Sequence, residues 1–140
     1  MRIIQAIDRL RALTPLQVVG AAADLESAMD SVTALPAAFV RLISTEASAP
    51  ELIGAMSQKI ELQFGVFLAV RNRRDPKWQG AFVEQEELLL LVRDALVGWV
   101  PDPSTGEAVR YVGGKTGDTD AQKRLWWLDV YAITMHYRKP

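Results

Sequence analysis

Residues Lys59 to Arg71 read KIELQFGVFLAVR, and the phase of this stretch decides the fold. Ile60, Leu62, Phe64, Val66, Leu68 and Val70 alternate without a break, which predicts a long strand with its even positions on a core. The odd positions, Glu61, Gln63, Gly65, Phe67, Ala69 and Arg71, are mixed, so the second face is expected to be only partly wet. Phe67 stands out there, because an aromatic on the second face of a central strand usually meets a helix or a partner chain.

Moving outward on the C-terminal side, Asn72 to Lys77 is a polar turn. Phe82 to Trp99 then carries the best helical pattern in the chain, with Phe82, Leu89, Val92, Leu96 and Trp99 on one face and Gly98 and Pro101 at its stop. Leu88 and Ala95 widen that face, whereas Leu90 and Val97 fall off it, pointing to burial on two sides or to a subunit contact. Glu84, Glu86 and Glu87 are placed near the positive N-terminal end of this helix. Ala108 to Lys115 and Leu125 to Arg138 read as the arms of a long C-terminal β-hairpin, and Gly113, Gly114 and Gly117 to Asp120 supply residues that tolerate turns and bulges. In the second arm Trp127, Tyr131, Ile133, Met135 and Tyr137 share one face, and Trp126, Leu128, Val130, Ala132 and Thr134 the other. A strand apolar on both sides needs helices on one face and another cover on the second.

On the N-terminal side, Ile3, Ile4, Ile7 and Leu10 recur at helical spacing and predict an amphipathic helix that ends before Pro15 and lies across the sheet. Leu16 to Gly20 is a short edge-strand candidate, and Asp24 is placed as the cap of a short helix through Leu25, Ala28 and Met29. Ala38 to Ser44 predicts a strand. Thr45 to Gln58, with its Ala, Ser, Pro50 and Gly54, reads as a mobile excursion of the kind where partners are met. Together these segments predict an α+β fold, helices packed on a mixed or mainly antiparallel β-sheet, in one domain over residues 1–140.

Composition narrows the function. The 140 residues carry 16 Lys and Arg against 17 Asp and Glu, a net charge of -1, which argues against a protein built chiefly on phosphate contacts. There is no cysteine, which removes disulfides, thiolate chemistry and sulfur-ligated zinc. The N-terminal MRIIQAIDRLRAL is charged every few residues and does not read as a secretory signal. Leu88 to Val92, the densest apolar run, is far short of a membrane span, so no membrane partner is expected.

The inventory of reactive groups is thin, and no catalytic, cofactor-binding or metal-ligating residue is expected. His136 is the single histidine, near a strand end, and fits a surface or packed position better than a catalyst. Gly113 to Gly117 (GGKTG) superficially resembles a phosphate loop but lacks the spacing to a first glycine and a following helix, so the hairpin reading wins. The three glutamates are explained by an acidic helix start. Arg71, Arg73, Arg74 and Lys77, with Trp78, form one basic knot: a solvated turn is the favoured reading, beside nucleic-acid contact and an inter-subunit contact through bidentate arginine pairs. Trp126 and Trp127 face opposite ways on one strand, so one indole packs the core and the other needs a loop, a helix or another chain over it. The subunit-interface candidates are therefore Trp126, Trp127, Arg73, Arg74 and Asp75, with the 45–58 segment as the alternative cover for the outer indole.

The order of these segments carries a resemblance. A short N-terminal helix is followed by Ala37-Ala38-Phe39-Val40 and by Phe64-Gly65-Val66 running to Ala69-Val70-Arg71-Asn72 and Asp75. After these come Leu96-Val97-Gly98-Trp99 with Pro101, then Tyr111-Val112-Gly113-Gly114, then Leu125-Trp126-Trp127 with Asp129. Over nearly the whole chain this resembles the small tail terminator proteins of tailed bacteriophages and prophages. The resemblance implies a homo-oligomeric ring, typically a hexamer, in the virion tail. Such a ring caps the tail tube, stops its polymerisation and offers the surface joined to the head. Its partners would be the tail tube protein and a head-completion or connector protein, with at most weak, transient contact with DNA passing through. It implies no catalytic residues and no cofactor, and synthesis in the bacterial host cytoplasm. Two alternatives stand beside it: another head-to-tail joining or tail-completion subunit, and a small-molecule-binding or enzymatic α+β domain using the groove beside the long strand.

Overall fold

The computed structural model describes residues 1–72 and 75–140. In chain order the elements are α1 (Ile3–Arg11), β1 (Val18–Ala21), α2 (Leu25–Asp30), β2 (Ala37–Ala47), β3 (Glu51–Ile53), β4 (Ala55–Arg71), α3 (Gln79–Leu96), β5 (Arg110–Thr119) and β6 (Arg124–Lys139). The strands form one six-stranded mixed sheet in the order β1-β2-β4-β6-β5, with β3 folded back onto the far end of β4. β1 runs parallel to β2 through a crossover that contains α2, and the other pairings are antiparallel. The α+β reading of the sequence holds, including the long C-terminal hairpin of β5 and β6.

β4 is central because it is paired on both sides, with β2 from Ala37↔Ala69 to Ala47↔Ile60 and with β6 from Met56↔Lys139 to Arg71↔Arg124. Its even positions behave as their alternation predicts: Phe64, Val66, Leu68 and Val70 are buried with Leu88, Leu89, Val92 and Leu96 of α3 and Ile7 and Leu10 of α1. The odd positions are drier than expected. Phe67 and Ala69 join Phe39, Trp126 and Leu128 in a second cluster on the opposite face, closed by Ala28 and by Leu25, Met29 and Val32 around α2. Gly65, on this second face, is covered by side chains from both neighbouring strands, and a Cβ there would lie 2.7 Å from Leu128 Cδ1 and 3.1 Å from Ile43 Cδ1. The missing side chain leaves room over β4 for Ile43, in the β2 bulge between Leu42 and Ser44, and Leu128 of β6.

α2 forms where its cap is: the Asp24 carboxylate accepts the Ser27 N–H at 2.8 Å, and the Ser27 hydroxyl in turn accepts the Asp24 N–H. Five expectations need correction. The 45–58 segment is not a loop. β2 continues to Ala47, and β3 and β4 form a tight hairpin about Gly54, so the sheet runs on past the helices as a bare arm. Here Glu46, Glu51, Ser57 and Lys59 pair through backbone hydrogen bonds that need no apolar alternation, and so left no pattern to read. α3 starts three residues before Phe82, so Glu84, Glu86 and Glu87 lie beyond its first turn. One N-terminal donor is met instead by Asp75, which accepts the Gly80 N–H at 3.2 Å and also the N–H of Lys77, just ahead of the helix, at 3.0 Å. Those bonds hold the Asp75 carboxyl below the ordinary carboxylate range. Phe82 is exposed rather than buried, and Ala81, Gln85 and Leu88 complete the inner face in its place. Trp99 lies past the helix end, half-buried against the core with the Arg9 guanidinium over its ring. On α1 the buried set is Ala6, Ile7 and Leu10, with Ile4 turned outward.

Leu96 has no exposed surface and packs in the first cluster. Leu96→Ala is expected to cost ~2 to 5 kcal/mol in a denaturant titration. A loss below about 0.5 kcal/mol, the range of ordinary surface sites, would contradict this packing.

Candidate assembly surfaces

The adjacent tryptophans each end on a carboxylate, and the two carboxylates have different jobs. Trp126 is fully buried on the α2 side, stacked on Phe39 and edge-on to Phe67, with ring centroids 6.4 and 6.5 Å away. Its indole N–H donates to Asp120 Oδ2 at 2.8 Å, and Arg124 Nε donates to the same oxygen at 2.6 Å. Burial works to raise the Asp120 carboxyl, but these donors outweigh it and hold the group below its ordinary value. The cover is the segment around α2, not the 45–58 segment, and Trp126 has no surface left for a neighbouring chain.

Trp127 points to the α3 side and stays half-buried. Its N–H donates to Asp129 Oδ1 at 2.7 Å. Asp129 is completely buried, and its two oxygens collect donors from three elements. Arg93 of α3 binds both, Nε to Oδ2 at 2.8 Å and Nη2 to Oδ1 at 3.0 Å. Tyr111 of β5 and Tyr131 of β6 donate from their hydroxyls, each at 3.1 Å. The Arg93 guanidinium lies 4.7 Å from the centre of the Tyr111 ring. Hydrogen bonding to Asp129 raises the Arg93 value further, and burial together with the Asp129 charge pushes Tyr131 well above the ordinary phenol range and Tyr111 upward. Both phenols are therefore protonated donors at neutral pH. The network bolts α3 and β5 to β6, and every acceptor site on Asp129 is engaged by the chain itself, so the cluster is a structural clamp. Gly114 makes room for it: a Cβ there would lie 2.5 Å from Asp129 Oδ1 and 2.7 Å from Trp127 Nε1.

Outside the clamp an open groove of about 430 Å³ runs between α3 and the hairpin, lined by Phe82, Leu89, Leu90, Trp127, Glu86 and Arg93, among others. Phe82 is 49% exposed and Leu90 64%. At the opposite end of the sheet, the hairpin tip of the arm presents Leu52, 74% exposed, and Ile53, 89% exposed, beside Lys139. Among the described residues no helix covers this end, and residues 42–55 are exposed throughout.

Of the residues singled out from the sequence, Trp126 and Trp127 lie on opposite faces as expected, and Asp75 caps α3. Arg73 and Arg74 lie outside the described residues. His136 is half-buried, 3.8 Å from Glu107, and the GGKTG segment is part of β5, with the register broken at Val112 just before it and at its last glycine, Gly117. The sequence reading did not find the arm tip or the Arg93–Asp129 clamp. Leu90, off the buried face, was a usable signal for the groove, and Leu52-Ile53-Gly54 was one for an apolar turn. Arg93 and Asp129 are 36 positions apart and no periodicity links them. Among the described residues no helix is long and apolar enough to cross a membrane.

Comparison with solved structures gives a matching fold in a chain of the virion of a native gene transfer agent (GTA) particle. The two are 14% identical, with 94% of this chain and 92% of that chain covered and a TM-score of 0.54. At that identity the likeness is one of fold alone. No curated protein matches the chain. The model of a protein family described as "Phage tail terminator protein" matches residues 3–140, which takes in every helix and strand described above. The chain thus belongs to the phage tail terminator protein family, the structural proteins of phage tails that its segment order resembles.

Proposed function

We propose that the chain acts as a single domain that assembles into a closed ring, a homohexamer. This ring caps the completed tail tube, stops its polymerisation and presents the surface to which the head is joined. The observation that carries this reading is the pair of apolar surfaces left open on one copy: the Leu52-Ile53 tip and the groove at Phe82, Leu90 and Trp127. They lie at opposite ends of the sheet, and two different patches on one subunit are what a heterologous, ring-closing contact requires. Trp127 is the tryptophan assigned to the interface. Asp75 with the turn around it is a second contact zone, next to the half-buried Trp78. The tail tube protein and a head-completion or connector protein are the partners of the two ring faces. The protein is not an enzyme and uses no cofactor, is made in the host cytoplasm and ends in the virion tail.

Solution mass combined with negative-stain images tests this reading. Annular particles of six subunits are expected; a monomer at all accessible concentrations, or a closed dimer, would overturn it. DNA contact is a further check, since a net charge of -1 leaves little phosphate affinity and a tight conduit would stall the genome. Binding to duplex DNA should be weak and fall steeply with salt. Nanomolar, sequence-selective binding at physiological salt would contradict passage through a ring.

A further inference from the structure

We infer that the Leu52-Ile53 tip of one copy seats in the α3 groove of the next copy. This inference rests on the ring reading above and names the contact that would build it. Reach comes first. The groove lies at the level of Leu68 and Trp127, which are paired, and the tip lies at Met56, twelve residues farther along β4. At strand rise that is about 40 Å, so a tip cannot bend back into its own groove.

Charge then selects the partner surface. Leu90 is flanked on the helix by Glu86, Glu87 and Asp94, at i−4, i−3 and i+4, all exposed. Among the described residues none of the three has an ion-pair partner. Arg93, three positions after Leu90 on the same helix, is held by Asp129. The tip carries the opposite balance: Arg138 and Lys139 are exposed on β6 beside it against Glu51, whereas Lys59, farther down the arm, is offset by Glu46 and Glu61 around it. Groove against groove would bring acidic faces together, and tip against tip would bring basic ones together. Tip into groove pairs opposite charges around an apolar centre, the arrangement that favours encounter and fixes register. The contact is heterologous, so each copy uses its tip on one neighbour and its groove on the other.

The absence of cysteine makes the contact directly testable. Ile53→Cys and Leu90→Cys are both substitutions at exposed positions, so neither is expected to disturb folding, which an unfolding midpoint checks. Oxidised with diamide, each single variant alone should stay uncrosslinked, while a mixture of the two should yield a covalent dimer joined 53 to 90, located by peptide mass spectrometry. The double variant should give a ladder that ends at one closed species. Leu52→Glu with Ile53→Glu should weaken self-association about 30-fold, the equivalent of ~2 kcal/mol, whereas Ile4→Glu, on exposed α1 surface away from both patches, should not change it. Rings that form without any 53-to-90 linkage, or with 90-to-90 linkage, would overturn this contact and leave the ring reading standing. Linked chains that never close would overturn the ring and leave the contact. Linkage of residue 53 only to purified tail tube protein would show that the occupant is not a second copy, and the inference would fall. A protein that remains monomeric and unlinked at all concentrations would end both.

Discussion

Asp129→Ala is expected to lower stability by about 3 to 5 kcal/mol, because it empties the centre of a clamp that joins α3, β5 and β6. The buried O–H of Tyr131 would lose its acceptor at about 1 to 3 kcal/mol, and the half-buried N–H of Trp127 would lose its own at the lower end of that range. Arg93 adds less than a buried cation would, since its side chain keeps 31% exposure and can be rehydrated. Asp129→Asn, which keeps the shape and one acceptor, should cost less than the alanine. The same clamp gives the protein an alkaline limit. The phenols of Tyr131 and Tyr111 are raised in the folded chain, so their contribution is full below the unfolded value of about 10 and is lost as pH rises past it. Denaturant titration of the variants at neutral pH, and of the parent chain from neutral to alkaline pH, measures both effects. A loss under about 1 kcal/mol for the alanine would mean that the clamp is not what seats α3.

Trp126→Ala is expected to cost about 3 to 5 kcal/mol, the range for removing a large buried aromatic. The indole fills the second cluster against Phe39 and Phe67, beneath the chain around α2, and donates to Asp120 at the hairpin turn. Its loss therefore opens a cavity and strips a donor from a carboxylate that also orients Arg124. Trp127→Ala should behave differently. It removes one wall of the open groove, so its main readout is weakened assembly with a smaller loss of monomer stability. If both variants lowered stability alike and left assembly mass unchanged, the division of labour between the two indoles would be wrong.

The difference between these two neighbours shows what could be read before folding. Strand periodicity places them on opposite faces of β6, because successive strand residues must alternate. It could not say which indole would stay open, because that depends on what packs above each face. α2 is six residues long, with a weak apolar pattern, and it covers the Trp126 side only because the parallel β1–β2 crossover carries it there. The arm shows the same limit in another form. Residues 45–58 lack large apolar residues in alternation, so they read as a loop, yet ladder hydrogen bonds to the ends of β4 and β6 extend them as sheet.

What the sequence alone determined was every element whose burial is written as a period: the alternation of β4, the two apolar faces of β6, the inner face of α3 at Leu89, Val92 and Leu96, and the Asp24 cap. The segment order also sufficed to place the chain with the phage tail terminators, a family that its match over residues 3–140 confirms. Only the tertiary structure decided the Arg93–Asp129 clamp, the seat of Asp75 under α3, the bare arm and the groove with Trp127 on its wall. Each of these depends on residues far apart in the chain being brought within a few ångströms by the pairing register of the sheet. A period in sequence records which side of an element is dry, but carries no information about the partner that makes it so.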